Sequence, residues 1–214
     1  MTSPPPVAGR PIAHGPGEVL GADRLAAFSD GVFAVIITIM VLEMKVPSGS
    51  DWAALVPLAP VFLAYVLSYV YVGTYWNNHH HLLKAARRVS GAALWANLHL
   101  LFWLSLLPVA TGWLGANPHA AAPAALYGVV LLGAALAYYV LQQSLIRAEG
   151  PHALLRRAVG RDWKGKVSPL LYLAAIALSF RVEALSLAIY ALVAALWLVP
   201  DRRIEMALRE PAGR

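Results

Sequence analysis

Long apolar stretches separated by short polar segments dominate this chain. A helix needs about 20 mainly apolar residues to cross a bilayer, because each residue adds about 1.5 Å against a hydrocarbon core about 30 Å thick. Six stretches follow this pattern, at residues 25–46, 52–76, 91–113, 120–146, 167–180 and 184–199. The sequence therefore predicts an all-α, polytopic membrane protein with six transmembrane helices.

Prolines and charged residues interrupt this pattern at defined places. Pro57 and Pro60 fall in the first turns of the second stretch, where a missing N–H costs least, and Pro108 is expected to kink the far end of the third. The last apolar region divides at residues 181–183. Its two halves are short, so they are either tilted spans or a hairpin that enters and leaves by one face. Both arrangements return the C-terminus to the same side.

The composition agrees with a membrane protein. Of the 214 residues, 59% are hydrophobic and 13% charged, whereas a soluble domain carries about 25% charged residues. The absence of cysteine excludes disulfides and cysteine-based metal sites. The net charge of +6 is no sign of nucleic-acid binding, because the basic residues lie in loops between apolar spans, close to anionic lipid.

The same basic residues predict the topology. Fifteen of the 17 lysines and arginines fall on one side of the predicted membrane, and only Lys45 and Arg181 fall on the other. By the positive-inside rule both termini are cytoplasmic. Residues 1–23 are rich in proline and glycine and lack a signal-peptide pattern, so we expect a flexible tail, a membrane domain over residues 24–203, and a C-terminal tail over residues 204–214.

A polar cluster of Arg24, Ser29 and Asp30 opens the first stretch. An ionisable residue at the edge of a spanning helix is costly unless it has a partner. Arg24 is six residues from Asp30 and does not face it, so Asp30 must pair with its own helix N-terminus, with water or with another helix. Candidate partners lie at residues 76–81 and 95–99. A polar network there would hold three helices together, with direct ion binding as the alternative.

Beyond Asp30 a single hydroxyl interrupts the apolar run, at Thr38. The spacing i, i+3, i+4, i+7 places one set on a common helical face: Val35, Thr38, Ile39 and Leu42. A helix with one polar layer between apolar layers is suited to lining a passage. The structural alternative is that Thr38 bonds back to a carbonyl one turn earlier.

Other motifs do not provide a reactive site. Three consecutive histidines at residues 79–81 point about 100° apart on a helix, so they cannot converge on one metal ion. Residues 71–75, YVGTY, differ in order from a potassium filter and lie inside an apolar helix, so no selectivity-filter loop is predicted. No phosphate loop, catalytic Ser/His/Asp order or HExxH motif occurs, so the sequence indicates neither an enzyme nor a cofactor.

Five motifs together resemble the transmembrane protein 175 family. They are RLAAFSDGVFA at residues 24–34, YWNNHHH at 75–81, LWAN at 94–97, FWLS at 102–105 and PDRR at 200–203. The resemblance implies a potassium-permeable channel of the prokaryotic form, which is a homotetramer of single six-helix units in the plasma membrane. Potassium ions, membrane lipids and further copies of the chain are the implied partners.

In that family the first helix of each subunit lines a central pore that has no filter loop. Carried over from Phe28, the constricting layers are Val35, Thr38 and Leu42, with Ile39 as a further contributor. Val35 is smaller than the Ile or Leu usual at its layer. In that family the arginine and the Phe-Ser-Asp residues, here Arg24, Phe28, Ser29 and Asp30, support helix packing and assembly. With the candidate partners at residues 76–81 and 95–99, the predicted network also includes Trp76, Asn77, His80, Asn97 and His99.

Two rival hypotheses remain open from the sequence. A proton- or cation-coupled secondary transporter would use Asp30 as its titrating group. A membrane scaffold would have no transport activity. The transporter predicts saturable flux, the scaffold predicts no flux, and the channel predicts resolved single-channel steps.

Overall fold

Every regular element in the described part of the chain is a helix. The structure is a computed structural model that describes residues 16–86, 89–150 and 163–198, and no strand occurs among them. The elements are α1 (Pro16–Leu42), a 3-10 helix (Trp52–Leu58), α2 (Ala59–Ala85), α3 (Gly91–Ser105), α4 (Leu107–Ala116), α5 (Ala121–Glu149), α6 (Trp163–Ser179) and α7 (Glu183–Leu198). The all-α prediction is confirmed.

The helices correspond to the six apolar stretches of the sequence. Within the described residues, four segments are long and apolar enough to cross a membrane: Gly21–Leu42, Trp52–Ala85, Gly91–Ala116 and Ala121–Glu149. The last two helices are shorter, with 17 residues in α6 and 16 in α7. They are separated at residues 180–182, where the charged interruption predicted a division.

Proline sets the internal break in the third span. α3 ends at Ser105 and α4 begins at Leu107, with Pro108 in the first turn of α4. Proline has no N–H to continue the backbone ladder, so the expected kink is a short break between two helices. In the second span, Pro57 lies within the 3-10 helix and Pro60 in the first turn of α2.

Two helices are longer than their apolar stretches. α1 begins at Pro16, so residues 16–23 of the predicted tail are helical. α2 continues through residues 77–85, beyond the apolar stretch that ends at residue 76, because His79, Leu82 and Leu83 turn inward and are buried there. The remainder of both predicted tails, the PDRR motif and residues 151–162 lie outside the described residues.

Close packing around α5 holds the bundle together. This helix packs against α3 and α6, while α1 packs against α2 and α4. Because lipid tails compete for apolar surface, helix association in membranes depends on small residues that allow close approach. A Cβ atom at Gly133 would overlap the indole of Trp103, and one at Gly128 would overlap the hydroxyl of Tyr190. These glycines let α3 and α7 approach α5.

Four buried tyrosines fill the centre between α2, α5, α6 and α7. They are Tyr71, Tyr127, Tyr172 and Tyr190, each less than 2% exposed. Ring centroids lie 5.5 Å apart for Tyr127 and Tyr190 and 6.3 Å apart for Tyr71 and Tyr172. The Tyr71 hydroxyl donates to the Tyr190 carbonyl over 2.6 Å, so the polar end of this ring is satisfied inside the bundle.

A chain of hydroxyl groups connects this centre with α4. The Ser68 Oγ atom lies 2.7 Å from Oγ1 of Thr111 and 2.9 Å from the hydroxyl of Tyr127. Thr111 in turn lies 3.9 Å from the sulfur of Met40 on α1. Side-chain hydrogen bonds and packing therefore join α1 to the rest of the bundle.

Candidate functional site

The two sides of α1 differ in what they contact. On one side Phe33, Ile36 and Met40 are buried against the bundle. On the other, Val35 is 56% exposed and Leu42 76% exposed. Ile39 and Thr38 are exposed beside them. The four residues that the sequence places on one face therefore lie together, on the side of α1 that faces away from its own bundle.

Thr38 makes the hydrogen bond that the structural alternative predicts. Its Oγ1 donates to the carbonyl oxygen of Ala34, one turn earlier, over 2.9 Å. A hydroxyl has one hydrogen and two acceptor lone pairs. Donation to Ala34 therefore leaves the Thr38 oxygen with lone pairs that a cation or a water hydrogen can meet.

The exposed side of α1 is broader than the predicted stripe. Phe28 is 54% exposed and Val41 40% exposed, and Ala34 is exposed between them. An apolar surface of this width on a spanning helix has to contact lipid or other protein. A single stripe accounts for only part of it, so the remainder is available for lipid or for another copy of the chain.

A buried hydrogen-bonded chain joins α1, α3 and α2 near the middle of α1. Ser29 Oγ donates to the Leu25 carbonyl over 2.8 Å and accepts from Nδ2 of Asn97 over 2.9 Å. The Oδ1 atom of Asn97 lies 2.7 Å from Nε2 of His79. Because an amide oxygen only accepts, the His79 tautomer must carry its hydrogen on Nε2. Ser29, Asn97 and His79 are all buried.

Asp30 has its partner on another helix. The indole Nε1 of Trp76, on α2, donates to Oδ1 of Asp30 over 2.9 Å. Both residues are exposed in the single chain. Trp76 also packs against the ring of His80, with centroids 6.0 Å apart. The sequence leaves three possible partners for Asp30: its own helix N-terminus, water or another helix. The structure contains a contact with another helix.

The remaining residues of the predicted network lie apart from this chain of bonds. Arg24 and Phe28 are exposed on α1, and Asn77 and His80 are exposed on α2. The imidazole of His99 accepts from Trp103, one turn along α3, over 3.0 Å. The position inside the bundle belongs to His79, which the predicted network omits.

Helical periodicity could have identified His79. The buried positions of α2 include Tyr71, Val72, His79 and Leu82, a spacing that repeats every three to four residues. His79 falls on this face and His80 is rotated about 100° away from it. Within the described residues, no group of three or more His, Asp or Glu side chains is arranged to hold a metal ion.

Comparison with known proteins gives consistent results along the chain. A family model described as the endosomal/lysosomal potassium channel TMEM175 matches residues 24–108. A protein of Chryseobacterium sp. (strain P1-3) named a potassium channel is 53% identical over 187 residues, which cover 87% of this chain and 97% of that protein.

A solved structure and a human protein extend the comparison. The crystal structure of a lysosomal potassium-selective channel TMEM175 homolog from Chamaesiphon minutus matches with a TM-score of 0.72 and 30% identity. The match covers 84% of this chain and 97% of that one. Human TMEM175, named an endosomal/lysosomal proton channel, is 37% identical over 105 residues, which cover 44% of this chain but only 21% of the human protein.

Proposed function

The chain belongs to the TMEM175 family of ion channels, and on this premise we propose that it conducts potassium ions through a pore lined by α1. The family and the relatives compared above are channels rather than enzymes. In the proposed assembly four copies surround an axis, and each turns the side of α1 that carries Val35, Thr38 and Leu42 towards it. The assembly lies in the plasma membrane of a prokaryote, with both termini cytoplasmic.

The observation that supports this proposal best is the division of α1 into a buried and an exposed side. Phe33, Ile36 and Met40 fasten one side to the bundle. The exposed side carries the only hydroxyl group between Asp30 and Leu42, at Thr38. A helix that served solely as a lipid anchor would have no need of a polar layer at this depth.

In this proposal, rings of apolar side chains close the pore. Val35 and Leu42 are seven residues apart, so their rings lie about 10 Å apart along the axis. Four apolar side chains at one level expel water from a narrow passage, and an ion cannot cross without its hydration shell. Small tilts of α1 that widen these rings would admit water and then a cation.

Selectivity in this proposal arises from the layer between the two rings. The Thr38 hydroxyl donates to Ala34 and turns its lone pairs outward. Four such oxygens replace part of the water around an ion in the open pore. Potassium loses water at a lower free-energy cost than sodium, so a partial replacement favours potassium without a ring of backbone carbonyls.

Assembly contacts complete the proposal. Phe28 and the hydrogen-bonded pair of Asp30 and Trp76 lie on the exposed surface beside the proposed pore face. In a tetramer this surface is the one that neighbouring copies reach. We assign Arg24 and Phe28 to contacts between subunits, and the buried Ser29–Asn97–His79 chain to packing within each subunit.

Recording from purified protein in a planar bilayer tests the proposal. We expect resolved single-channel steps and, under opposed potassium and sodium gradients, a reversal potential shifted towards that of potassium. Equal permeability of the two ions would refute the selectivity layer. Saturable flux without steps, abolished by Asp30→Asn, would instead favour the coupled transporter. The absence of flux into sealed liposomes would favour a scaffold.

A further inference from the structure

A cluster of candidate metal ligands lies at the end of α1 that carries Leu42. A cavity of about 230 Å³ opens there between α1, the start of α2 and α4. Met40, Glu43 and Met44 line it from α1 and from the turn that follows α1. Because Met40 is on the side of α1 that contacts the bundle, the cavity lies behind the proposed pore face rather than on it. Its volume is many times the roughly 10–15 Å³ that one water molecule needs, so a metal ion and water molecules fit inside.

Helical spacing brings these three side chains to one side of α1. Glu43 follows Met40 at i+3 and Met44 follows it at i+4, and residues at these spacings are neighbours on a helix. The backbone keeps turning over this stretch, because the Glu43 N–H donates to the Ile39 carbonyl over 3.1 Å and the Met44 N–H donates to the Val41 carbonyl over 3.3 Å. Two thioethers and one carboxylate therefore reach the same cavity.

Two adjacent residues of α4 hold the Met40 sulfur and the Glu43 carboxylate close together. The Thr111 hydroxyl donates to the sulfur of Met40 over 3.9 Å. A Cβ atom at Gly112 would lie 2.9 Å from Oε2 of Glu43, so this oxygen lies directly against the Gly112 backbone. Adjacent Cα atoms are only about 3.8 Å apart, so the sulfur and the carboxylate oxygen meet the same short stretch of α4.

The cavity is open to ions from the surrounding water. Glu43 is exposed and Met44 is half-buried, so an ion can reach both, whereas Met40 is 2% exposed and forms the inner wall. Methionine has three rotatable bonds, so the two sulfurs can adjust their positions around an ion. Lys45 also lines the cavity, but it is exposed, and its long side chain can hold its charge away from the cavity in water.

We propose that Met40, Glu43 and Met44 bind a soft monovalent metal ion, Cu⁺ or Ag⁺. Thioether sulfur is a soft ligand that selects ions of this kind. The single carboxylate balances one positive charge, whereas a divalent ion would leave an uncompensated charge at the edge of the membrane. Calcium requires many oxygen ligands, and structural zinc requires cysteine or histidine; the cavity wall contains one carboxylate and neither of those two residue types.

Calorimetric titration of Ag⁺ into the full-length protein in lipid nanodiscs, in chloride-free buffer, tests the proposal. The chain contains no cysteine, so no thiol competes for the ion. We expect a saturable step of one Ag⁺ per chain. Met44→Leu conserves volume and removes one sulfur, so it should weaken this step about tenfold or more. Met206→Leu is the matched control, because it removes a thioether that the proposal does not assign to the site.

Cu⁺ is compared with Ag⁺ in a second titration. Ascorbate keeps the copper reduced, and competition with a chromophoric chelator measures its affinity. Loss of binding in Met44→Leu for either ion supports the site, and the ion that binds more tightly is the preferred one.

Two further variants test the site without removing a methionine. Gly112→Ala places a methyl group where the Glu43 carboxylate lies, and this flexible side chain can move aside, so the variant should fold and bind Ag⁺ more weakly. Leu58 lines the same cavity, so Leu58→Met adds a third thioether and should tighten Ag⁺ binding about tenfold.

X-ray absorption at the silver edge identifies the atoms around the bound ion. We expect sulfur neighbours in the native protein and their loss in the double variant Met40→Leu/Met44→Leu. No saturable Ag⁺ binding, equal affinity of the native protein and Met44→Leu, or a shell without sulfur would overturn the proposal. Binding is measured without ion flux, so the result does not depend on the proposed channel function.

Discussion

Nε2 of His79 and Oδ1 of Asn97 lie 2.7 Å apart with both side chains buried, so α2 and α3 are joined by a hydrogen bond inside the bundle. The same amide donates to Ser29 on α1 over 2.9 Å. One asparagine thus uses its acceptor on one helix and its donor on another. Because both partners are buried, loss of the amide leaves the His79 Nε2–H without an acceptor and removes one of the two hydrogen bonds of Ser29, which keeps its bond to Leu25.

Asn97→Leu should therefore lower the free energy of unfolding by about 1–3 kcal/mol. Leucine keeps a similar volume, so the change isolates the loss of hydrogen bonds from the loss of packing. Denaturant titration in detergent, followed by tryptophan fluorescence, gives the difference. Asn77→Leu is the control, since Asn77 is exposed and should change stability by less than about 0.5 kcal/mol. Equal stability of native protein and Asn97→Leu would contradict the prediction.

The contact between Asp30 and Trp76 should appear as a coupling energy. In a double-mutant cycle with Asp30→Ala and Trp76→Phe, we expect a coupling of about 1 kcal/mol, since the hydrogen bond has a charged acceptor but is exposed in the single chain. Asp30→Asn keeps an acceptor oxygen and should lose less than Asp30→Ala. Additive effects in the cycle would show that the two side chains do not interact.

The six helical stretches could be read from the sequence, because a membrane requires apolar runs of a fixed minimum length. The common face of Val35, Thr38 and Leu42 on α1 could also be predicted from the sequence, since 3.6-residue periodicity places these residues together. The position at which α2 ends could not be predicted in this way. The polar residues 77–81 of α2 lie beyond the apolar stretch that ends at residue 76, but helical hydrogen bonds are indifferent to side-chain polarity, and burial of His79 and Leu82 continues the helix.

Helical periodicity does not predict which side chains of different helices meet. Periodicity places His79, among the three consecutive histidines, on the inward face of α2, but it does not show that α3 brings Asn97 to its ring. Gln142 is a second example, because the residues around it come from four different helices. The close approach of Trp103 to Gly133 is a third, and it can be tested directly.

Gly133→Ala should destabilise the protein by about 1–3 kcal/mol, because the new Cβ would overlap the Trp103 indole. Gly73→Ala is the control, since a Cβ at Gly73 meets no heavy atom within 4 Å and should be neutral or stabilise α2 by about 0.5–1 kcal/mol. Thermal unfolding in detergent compares the two. A smaller loss for Gly133→Ala in a Trp103→Leu background would locate the overlap at that ring, whereas an unchanged loss would place it elsewhere.

Substitutions at Thr38 test the selectivity layer. Thr38→Val has nearly the same shape and no hydroxyl, so the potassium-to-sodium permeability ratio should fall towards one. Thr38→Ser restores the oxygen and should keep most of the preference. Reversal potentials under potassium and sodium on opposite sides measure both. A ratio for Thr38→Val equal to that of the native protein would remove the hydroxyl from the selectivity mechanism.

Leu42 should determine how tightly the closed pore is sealed. Leu42 is 76% exposed at the end of α1, and truncation to alanine removes three heavy atoms from each subunit of the proposed tetramer, so water should enter the proposed constriction more readily. Leu42→Ala is expected to raise the current in the absence of any stimulus by several-fold. Val41→Ala is the control on the neighbouring face of α1, where Val41 is 40% exposed, and should leave that current unchanged. If the two variants behave alike in a planar bilayer, Leu42 does not face the pore.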